Sequence, residues 1–528
     1  MASAQLSAPE LRRADILLCT LNARYIHCAF GLRYLKANLG PLETRSKILE
    51  FTIQQKPGVI AEQILACQPR IVGFGVYIWN ATQTLDLVRI LKKAQPELLI
   101  VLGGPEVSHE SETQELVALA DHTIRGEADI IFRQTCERLL AQTEEGSARI
   151  SIPKIIDGPL PDLHSLKMPY RLFSDEDIKN RVLYVEASRG CAFKCEYCLS
   201  SLDLKVRSFP LASFLEEMDL LIQRGARQFK FVDRTFNLSP KVSTQILDFF
   251  LKRIHLGLFL HFEMVPDRLP EELRKYIVQF PEGSLQFEVG IQTWNSNVAA
   301  LVSRKQDTSK VEENLLFLRE RTGVHIHADL IAGLPGETLQ SFAEGFNRLA
   351  RLRPHEIQLG ILKRLRGTPI IRHDQEWEMR YSPSPPYEIQ QTKVLSSDEL
   401  QRLKRYSKYW DLVANRGYYK KTLGFIFSQN PFEELSELSE FLWTRFRRTH
   451  SIDLMELSEG VFSFLTETKG HPKVEVATAL LEDLEIPKMR PAPHFLKEYR
   501  FEAVSLSQAR VTHHNTPKRQ RRFIAENS

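Results

Sequence analysis

The sequence predicts an α/β protein with three parts. These are a five-stranded, doubly wound N-terminal domain of flavodoxin-like or Rossmann-like type, a partial (β/α)6 barrel, and an α-helical C-terminal region. Three observations carry this. Short apolar runs alternate with amphipathic stretches over 14–145 and again over 181–375, the pattern of parallel strands joined by helices. A proline-rich break, Ser382-Pro383-Ser384-Pro385-Pro386, comes as the alternation ends, and long amphipathic stretches follow it. Hydrophobic residues make up 43% of the chain and charged residues 26%, ordinary globular usage that excludes wholesale disorder.

In the first segment (1–145) the strands are DILLCTL (15–21), SKILEFT (46–52), IVGFGVYI (71–78), LLIVLGG (98–104) and HTIRGEA (122–128). Helical stretches run from about His27 to Leu39, at 58–68, at 81–95, near 112–120 and from 129 to about 142. Ligands of such sheets bind outside the C-terminal strand ends. Here those ends carry Asn22, Trp79-Asn80, Gly103-Gly104-Pro105 and Gly126-Glu127. Residues 146–180, with Pro153, Pro159, Pro161 and Pro169, read as a linker that packs on the surface.

Residues 181–375 hold six strand–helix units: VLYVEAS (182–188), QFKFVDRTF (228–236), LFLHFEMV (258–265), SLQFEVGIQ (284–292), VHIHADLIAG (324–333) and HEIQLGILK (355–363), separated by helical stretches. A β/α barrel places its chemistry at the C-terminal strand ends. In 376–528 helices are expected at about 397–416, 432–449 and 474–485, followed by a polar, basic tail, TPKRQRRFIAENS, expected to be loose. Arg402, Lys404, Arg405, Lys408, Arg416, Lys420 and Lys421 interleave with Tyr406, Tyr409, Trp410, Tyr418 and Tyr419. Aromatics among cations can bind single-stranded RNA, and a solvated helix with an aromatic core face gives the same pattern.

Lys plus Arg total 70 against 66 Asp plus Glu, a net charge of +4. That near-neutrality speaks against a nucleic-acid coat or a membrane-surface protein. No apolar run approaches the roughly 18–20 residues that span a bilayer, and MASAQLSAPELRRAD lacks the apolar core of a secretory signal. A cytoplasmic protein without membrane partners is the expectation. Seven cysteines, an odd number, exclude a disulfide-built scaffold.

Cys19, Cys28, Cys67 and Cys136 are scattered, whereas Cys191, Cys195 and Cys198 fall in CAFKCEYC, directly after the first barrel strand. Thiolates are soft ligands suited to zinc or to iron–sulfur clusters. Structural zinc takes four protein ligands, and no fourth with ligand spacing stands nearby. A [4Fe–4S] cluster held by three thiolates leaves one iron open to a small molecule.

CAFKCEYC resembles the signature of the radical S-adenosylmethionine (radical SAM) enzymes, in which Tyr197 supplies the aromatic before the third cysteine. The resemblance implies that Cys191, Cys195 and Cys198 bind a [4Fe–4S] cluster whose open iron is chelated by S-adenosylmethionine. Reductive cleavage of that molecule gives methionine and a 5′-deoxyadenosyl radical, which takes a hydrogen atom from substrate. Further segments resemble the family in order along the barrel: FVDRTF (231–236), FEVGIQ (287–292), DLIAGLPGET (329–338) and LKRLRGTP (362–369). They imply contacts to S-adenosylmethionine from Tyr197, Asp233, Glu288, Gln292, Asp329, Gly333 and Leu362. Asp233, Glu288 and Asp329 also suit strand-end residues that cap the next helix. His325 and His327 share one strand face and read as structural, and Glu263 lies on a central strand.

The order of an α/β domain, a linker and such a barrel resembles the cobalamin-binding branch of that superfamily. GFGVYIWNATQTLDLVRILKKAQPELLIVLGGPEVS is the most similar stretch. It implies cobalamin contacts from Asn22, Tyr77, Asn80, Gly103, Gly104 and Glu127. The Asp-x-His-x-x-Gly motif of the best-known cobalamin proteins is absent: His27, in YIHCAF, has neither the aspartate nor the glycine in register. Ligation of cobalt by histidine is therefore not expected.

The resulting expectation is a cobalamin-dependent radical SAM enzyme that transfers a methyl group to an unactivated carbon of a small molecule or peptide. An electron donor such as flavodoxin or ferredoxin would serve it. One alternative keeps the radical chemistry for cyclisation or rearrangement beside a non-functional cobalamin domain. Another is a metal-containing RNA-binding or RNA-modifying protein, against which the small net charge speaks.

Overall fold

The computed structural model describes residues 13–142, 151–427, 430–484, 493–499 and 515–524. Most of the N-terminal stretch read for a signal, and the last four residues of the basic tail, lie outside them. The chain divides into two compact units, one of 1–234, 363–369 and 382–387, the other of 235–362, 370–381 and 388–528. The units do not follow the four sequence segments. The first takes in the N-terminal domain, the segment after it, the cysteine loop and the first two barrel strands.

In the first unit, β1 (Ile16–Asn22), β2 (Ser46–Thr52), β3 (Ile71–Gly75), β4 (Leu99–Gly103), β5 (His122–Arg125) and β6 (Ile155–Asp157) form a parallel sheet of order β2-β1-β3-β4-β5-β6. Every residue of β1 is buried. Leu17, Cys19 and Leu21 enter the core on one face and Ile16 and Leu18 the core on the other, as a sheet covered by helices on both sides requires. Cys67 lies in the first core and Cys136 in the second, so these bystander cysteines are packing residues.

The sheet has six strands rather than the expected five. The sixth comes from the segment read as a linker, and that segment does not simply lie on the surface. Tyr170 and Phe173 are fully buried and pack around Phe30. Helix Asp175–Asn180 opens with a Ser174/Asp177 capping box, and Asp177 also takes Arg33 at 2.8 Å. Arg33, Glu50, Asp177 and Arg181 form a buried, neutral network of two arginines and two carboxylates. The arginines hold the Glu50 and Asp177 carboxyls below their usual range although burial acts the other way.

The same unit carries β7 (Leu183–Val185), the two-residue strands β8 (Ser188–Arg189) and β9 (Arg207–Ser208), and β10 (Gln228–Phe231). β8 and β9 pair antiparallel, and β10 pairs with β7 in parallel.

The second unit contributes β11 (Phe259–Met264), β12 (Leu285–Gln292), β13 (His325–Ala332) and β14 (Glu356–Ile361), each parallel to the next. Within this unit the order is β14-β13-β12-β11, and within the first unit β10 lies beside β7; these are the six strands expected of the partial barrel. Phe262, Phe287, Ile326, Ala328 and Ile357 are buried on one face. By strand alternation the opposite face carries His261, Glu263, Glu288, His325, His327, Asp329 and Glu356.

C-terminal helices span Ser397–Trp410, Pro431–Phe446, Leu454–Ser463 and Lys473–Asp483. The third was not expected from sequence. Four of the five aromatics of the basic stretch, Tyr406, Tyr409, Trp410 and Tyr419, are buried core, and Tyr418 is half-buried. Four of its seven cations pair with carboxylates, in Lys404–Glu388, Arg405–Glu440, Arg416–Asp411 and Lys421–Glu482. The tail is not loose over 515–524. Thr516 donates to the Gly283 carbonyl at 2.6 Å, Gln520 to Gln286 at 2.8 Å, and Arg519 reaches Glu356 at 2.7 Å. Among the described residues no helix is long and apolar enough to cross a membrane.

Candidate active site

The sheet order of the N-terminal domain reverses between β1 and β3, so the crevice expected to take a ligand lies beyond the C-terminal ends of those two strands. Here Trp79, which follows β3, is 45% exposed. Tyr77 stacks on Trp79 with ring centroids 4.5 Å apart and an interplanar angle of 6°. Trp79 was not among the expected contacts, although its place after β3 was visible in the sequence. Gly104 has φ +105°, and a Cβ there would lie 2.5 Å from the Val76 carbonyl oxygen, so only glycine fits. An open aromatic shelf beside a close glycine turn suits a flat macrocycle with a polar tail.

Other expected contacts are engaged within the protein. Asn80 is fully buried; its amide donates to the Leu21 and Gly75 carbonyls and its oxygen accepts from the Tyr77 N–H. It is a clamp between β1 and β3 and offers nothing to a ligand. Asn22 is buried and donates to the His27 carbonyl at 2.9 Å. The Glu127 carboxylate is taken on both oxygens by Arg189 and Arg207. His27 shares a 2.7 Å hydrogen bond through Nδ1 with the Tyr184 hydroxyl, and burial pulls its pKa down. Nothing here presents it as a cobalt ligand.

The three clustered cysteines occupy one loop hung from the β8–β9 ribbon. Cys191 and Cys195 are buried and Cys198 is half-buried, and none forms a disulfide. The Cys198 N–H donates to the Cys195 carbonyl at 3.1 Å, a turn that brings the last two together. Burial pushes the Cys191 thiol up, and the neighbouring Cys198 and Cys195 thiols push the same way. A bound cation cluster reverses that preference by favouring thiolates. Among the described residues no three His, Cys, Asp or Glu side chains converge to hold a single metal ion. Three thiols in one loop suit a [4Fe–4S] cubane, whose ligands sit on different irons.

The turn into this loop is held by Asp233, at the end of β10. Its carboxylate accepts from the Ala187 N–H at 3.0 Å and from the Ser188 hydroxyl at 2.5 Å. Burial raises its pKa to about 6. Expected as a contact to S-adenosylmethionine, Asp233 instead anchors backbone ahead of the first cysteine. Gly190, φ +89°, lies where a Cβ would meet the Lys205 carbonyl oxygen at 2.4 Å.

In the second unit the Glu288 carboxylate accepts from His261 Nε2 at 3.0 Å, and Asp329 lies 3.3 Å from His327. His325 bonds Glu356 at 2.9 Å, as a structural histidine does. Gln292 ends β12 with φ +68° beside a register shift, a strained backbone of the kind found at functional sites. Two expected contacts have packing roles. A Cβ on Gly333 would meet the Ile389 side chain at 2.6 Å, and Leu362 is 2% exposed with its backbone bonded to Ala332 and Ile389. Tyr197 is half-buried between the cysteines.

Three segments of the chain match family models. Residues 16–135 match the B12 binding domain, 185–349 the radical SAM superfamily, and 375–523 a protein family of unknown function, DUF4080. The chain is 23% identical over 369 residues to the uncharacterized methyltransferase PH0819 of Pyrococcus horikoshii, covering 66% of this chain and 77% of that one. It is 22% identical over 338 residues to the cobalamin-dependent radical SAM methyltransferase TokK of Streptomyces tokunonensis, covering 56% of this chain. That match spans 47% of TokK, about half its length. In fold it is similar to the radical S-adenosylmethionine methyltransferase TsrM of Kitasatospora setae, solved with cobalamin and a [4Fe–4S] cluster. The TM-score is 0.55 at 16% identity, covering 74% of this chain and 85% of that one. The chain is a radical SAM protein with an N-terminal B12-binding domain.

Proposed function

We propose that this chain is a cobalamin-dependent radical SAM methyltransferase acting on a small molecule or peptide, with flavodoxin or ferredoxin as electron donor. The observation that carries the reading is the union, in one compact unit, of the open aromatic crevice at the β1/β3 switch point and the three-thiol loop. When bound, cobalamin supplies a methyl carrier, and the cluster supplies the electron that splits S-adenosylmethionine.

The protein's part is binding, orientation and exclusion of water. Cys191, Cys195 and Cys198 hold the cluster, and Asp233 and Gly190 fix the turn that presents them. Tyr77 and Trp79 offer the macrocycle an apolar platform, and Gly103-Gly104 lets its polar tail approach backbone. Tyr197, Glu288, Gln292 and Asp329 remain as contacts to S-adenosylmethionine. No histidine ligand to cobalt belongs to this reading.

Hydroxocobalamin added to the anaerobic protein, followed by desalting, tests it. Retained colour at about one equivalent is expected. Colourless protein that still converts S-adenosylmethionine to 5′-deoxyadenosine would overturn it in favour of radical chemistry without cobalamin.

A further inference from the structure

We infer that Glu127, with Arg189 and Arg207, forms a positioning clasp that fixes the neck of the cysteine loop to the strand-end loop after β5. The clasp sets where the cluster stands relative to the cobalamin crevice. What is held at each end rests on the proposed function; the clasp itself rests on geometry.

Arg189 and Arg207 are cross-strand partners in the β8–β9 ribbon, so the whole cysteine loop hangs between them. Both reach the same carboxylate, one on each oxygen. Arg189 donates to Glu127 Oε2 at 2.8 Å, and Arg207 donates to Glu127 Oε1. Glu127 follows Gly126, φ +80°, on the same strand-end edge as Gly103-Gly104.

Each arginine then carries the tie further. Arg189 donates to Asp129 at 2.9 Å and to Glu186 at 2.9 Å. Its guanidinium lies 4.6 Å from the Tyr34 ring centroid and 5.6 Å from that of Phe209. Arg207 donates to Asp203 at 2.9 Å and to the Pro161 carbonyl at 3.1 Å. The Asp203 carbonyl in turn accepts from the Cys191 N–H at 2.9 Å. From the domain loop to the first cysteine the path runs through the charge-assisted Glu127–Arg207–Asp203 contacts and ends in the backbone hydrogen bond from Cys191 to Asp203. Lysine could not replace either arginine, because each uses several N–H groups in a planar fan. Fold cohesion alone does not require one carboxylate to hold both strands of the loop's neck.

Hydrogen exchange on the full chain, with no cofactor added, is the first arm of the test. In Glu127→Gln, amides of 190–206 are expected to exchange about ten-fold faster or more, with those of β1 and β3 unchanged. The second arm uses protein reconstituted with cluster and hydroxocobalamin and measures the dipolar coupling between cob(II)alamin and the reduced cluster. A single narrow distance distribution is expected in the wild type and a broadened one in Glu127→Gln. Should that variant not fold, Arg207→Gln removes the second arm of the clasp and carries the same expectations. Unchanged loop exchange would overturn the clasp. A loosened loop with a wild-type distance distribution would overturn its positioning role. Wild-type protein without a cob(II)alamin signal would count against the proposed function, and the exchange arm alone would then decide the clasp.

Discussion

Asn415 faces Ile357 as a neighbouring strand would. Its side-chain oxygen accepts from the Ile357 N–H at 2.9 Å, its amide donates to the Ile357 carbonyl at 2.8 Å, and Trp410 Nε1 donates to the same oxygen at 2.8 Å. Ile357 lies on β14, an edge strand of the barrel sheet. Exposed edges invite pairing with other chains, and here the C-terminal region covers one. Asn415→Ala would leave two backbone groups and an indole N–H buried without partners. A loss of roughly 2–4 kcal/mol is expected in denaturant unfolding of the full chain. A change within experimental error would contradict this cover.

Gly104→Ala sets a Cβ 2.5 Å from the Val76 carbonyl and forces alanine into φ +105°. A cost of about 1–3 kcal/mol falls on the turn that lines the crevice. Titration with hydroxocobalamin is expected to show weakened binding, while iron and sulfide uptake by the cysteine loop stays at the wild-type level. Equal weakening of both would mean that the variant disturbs the whole unit.

The Asp233 carboxyl gives stability a particular pH dependence. Its pKa rises on folding from 3.8 to about 6, because burial disfavours the charged form. Below the lower value both states hold the proton. Between the two, the unfolded chain releases it and the folded one keeps it, so this group's contribution falls as pH rises. Above about 6 the cost is constant, on the order of 2–3 kcal/mol. The difference between wild type and Asp233→Asn in thermal stability should therefore shift in the variant's favour from pH 4 to 6. A flat difference over that window would contradict the assignment.

Cys195→Ala removes one of three thiolates. After anaerobic reconstitution the variant should lack the visible cluster absorbance while still taking up hydroxocobalamin. Wild-type protein that returns zinc and no iron by elemental analysis would contradict the ligand assignment.

Much of the fold was legible because it rests on local pattern. β1 to β5 and the barrel strands are apolar runs flanked by turns, and CAFKCEYC carries its chemistry in consecutive residues. What was missed depends on contacts distant in sequence. β6 is only Ile155–Asp157, too short for any periodicity, and forms because β5 leaves an edge free. Helix Leu454–Ser463 carries serine and glycine on its buried side, where an apolar stripe would have marked it. Asp233 and Glu127 were noticed as polar strand-end residues. Their partners, Ser188 and the two arginines, lie 45, 62 and 80 residues away, beyond what a motif can show. Arg189 itself stood beside Gly190-Cys191 in the sequence, and only its pairing with three carboxylates shows why it is there.

One chromatographic run tests the central claim most directly. Protein reconstituted with the cluster and hydroxocobalamin is given S-adenosylmethionine and dithionite, and the nucleoside products are quantified by mass. A cobalamin-dependent radical SAM methyltransferase forms both 5′-deoxyadenosine and S-adenosylhomocysteine, the second only when cobalamin is present. Formation of 5′-deoxyadenosine alone, at the same rate with and without cobalamin, would contradict it.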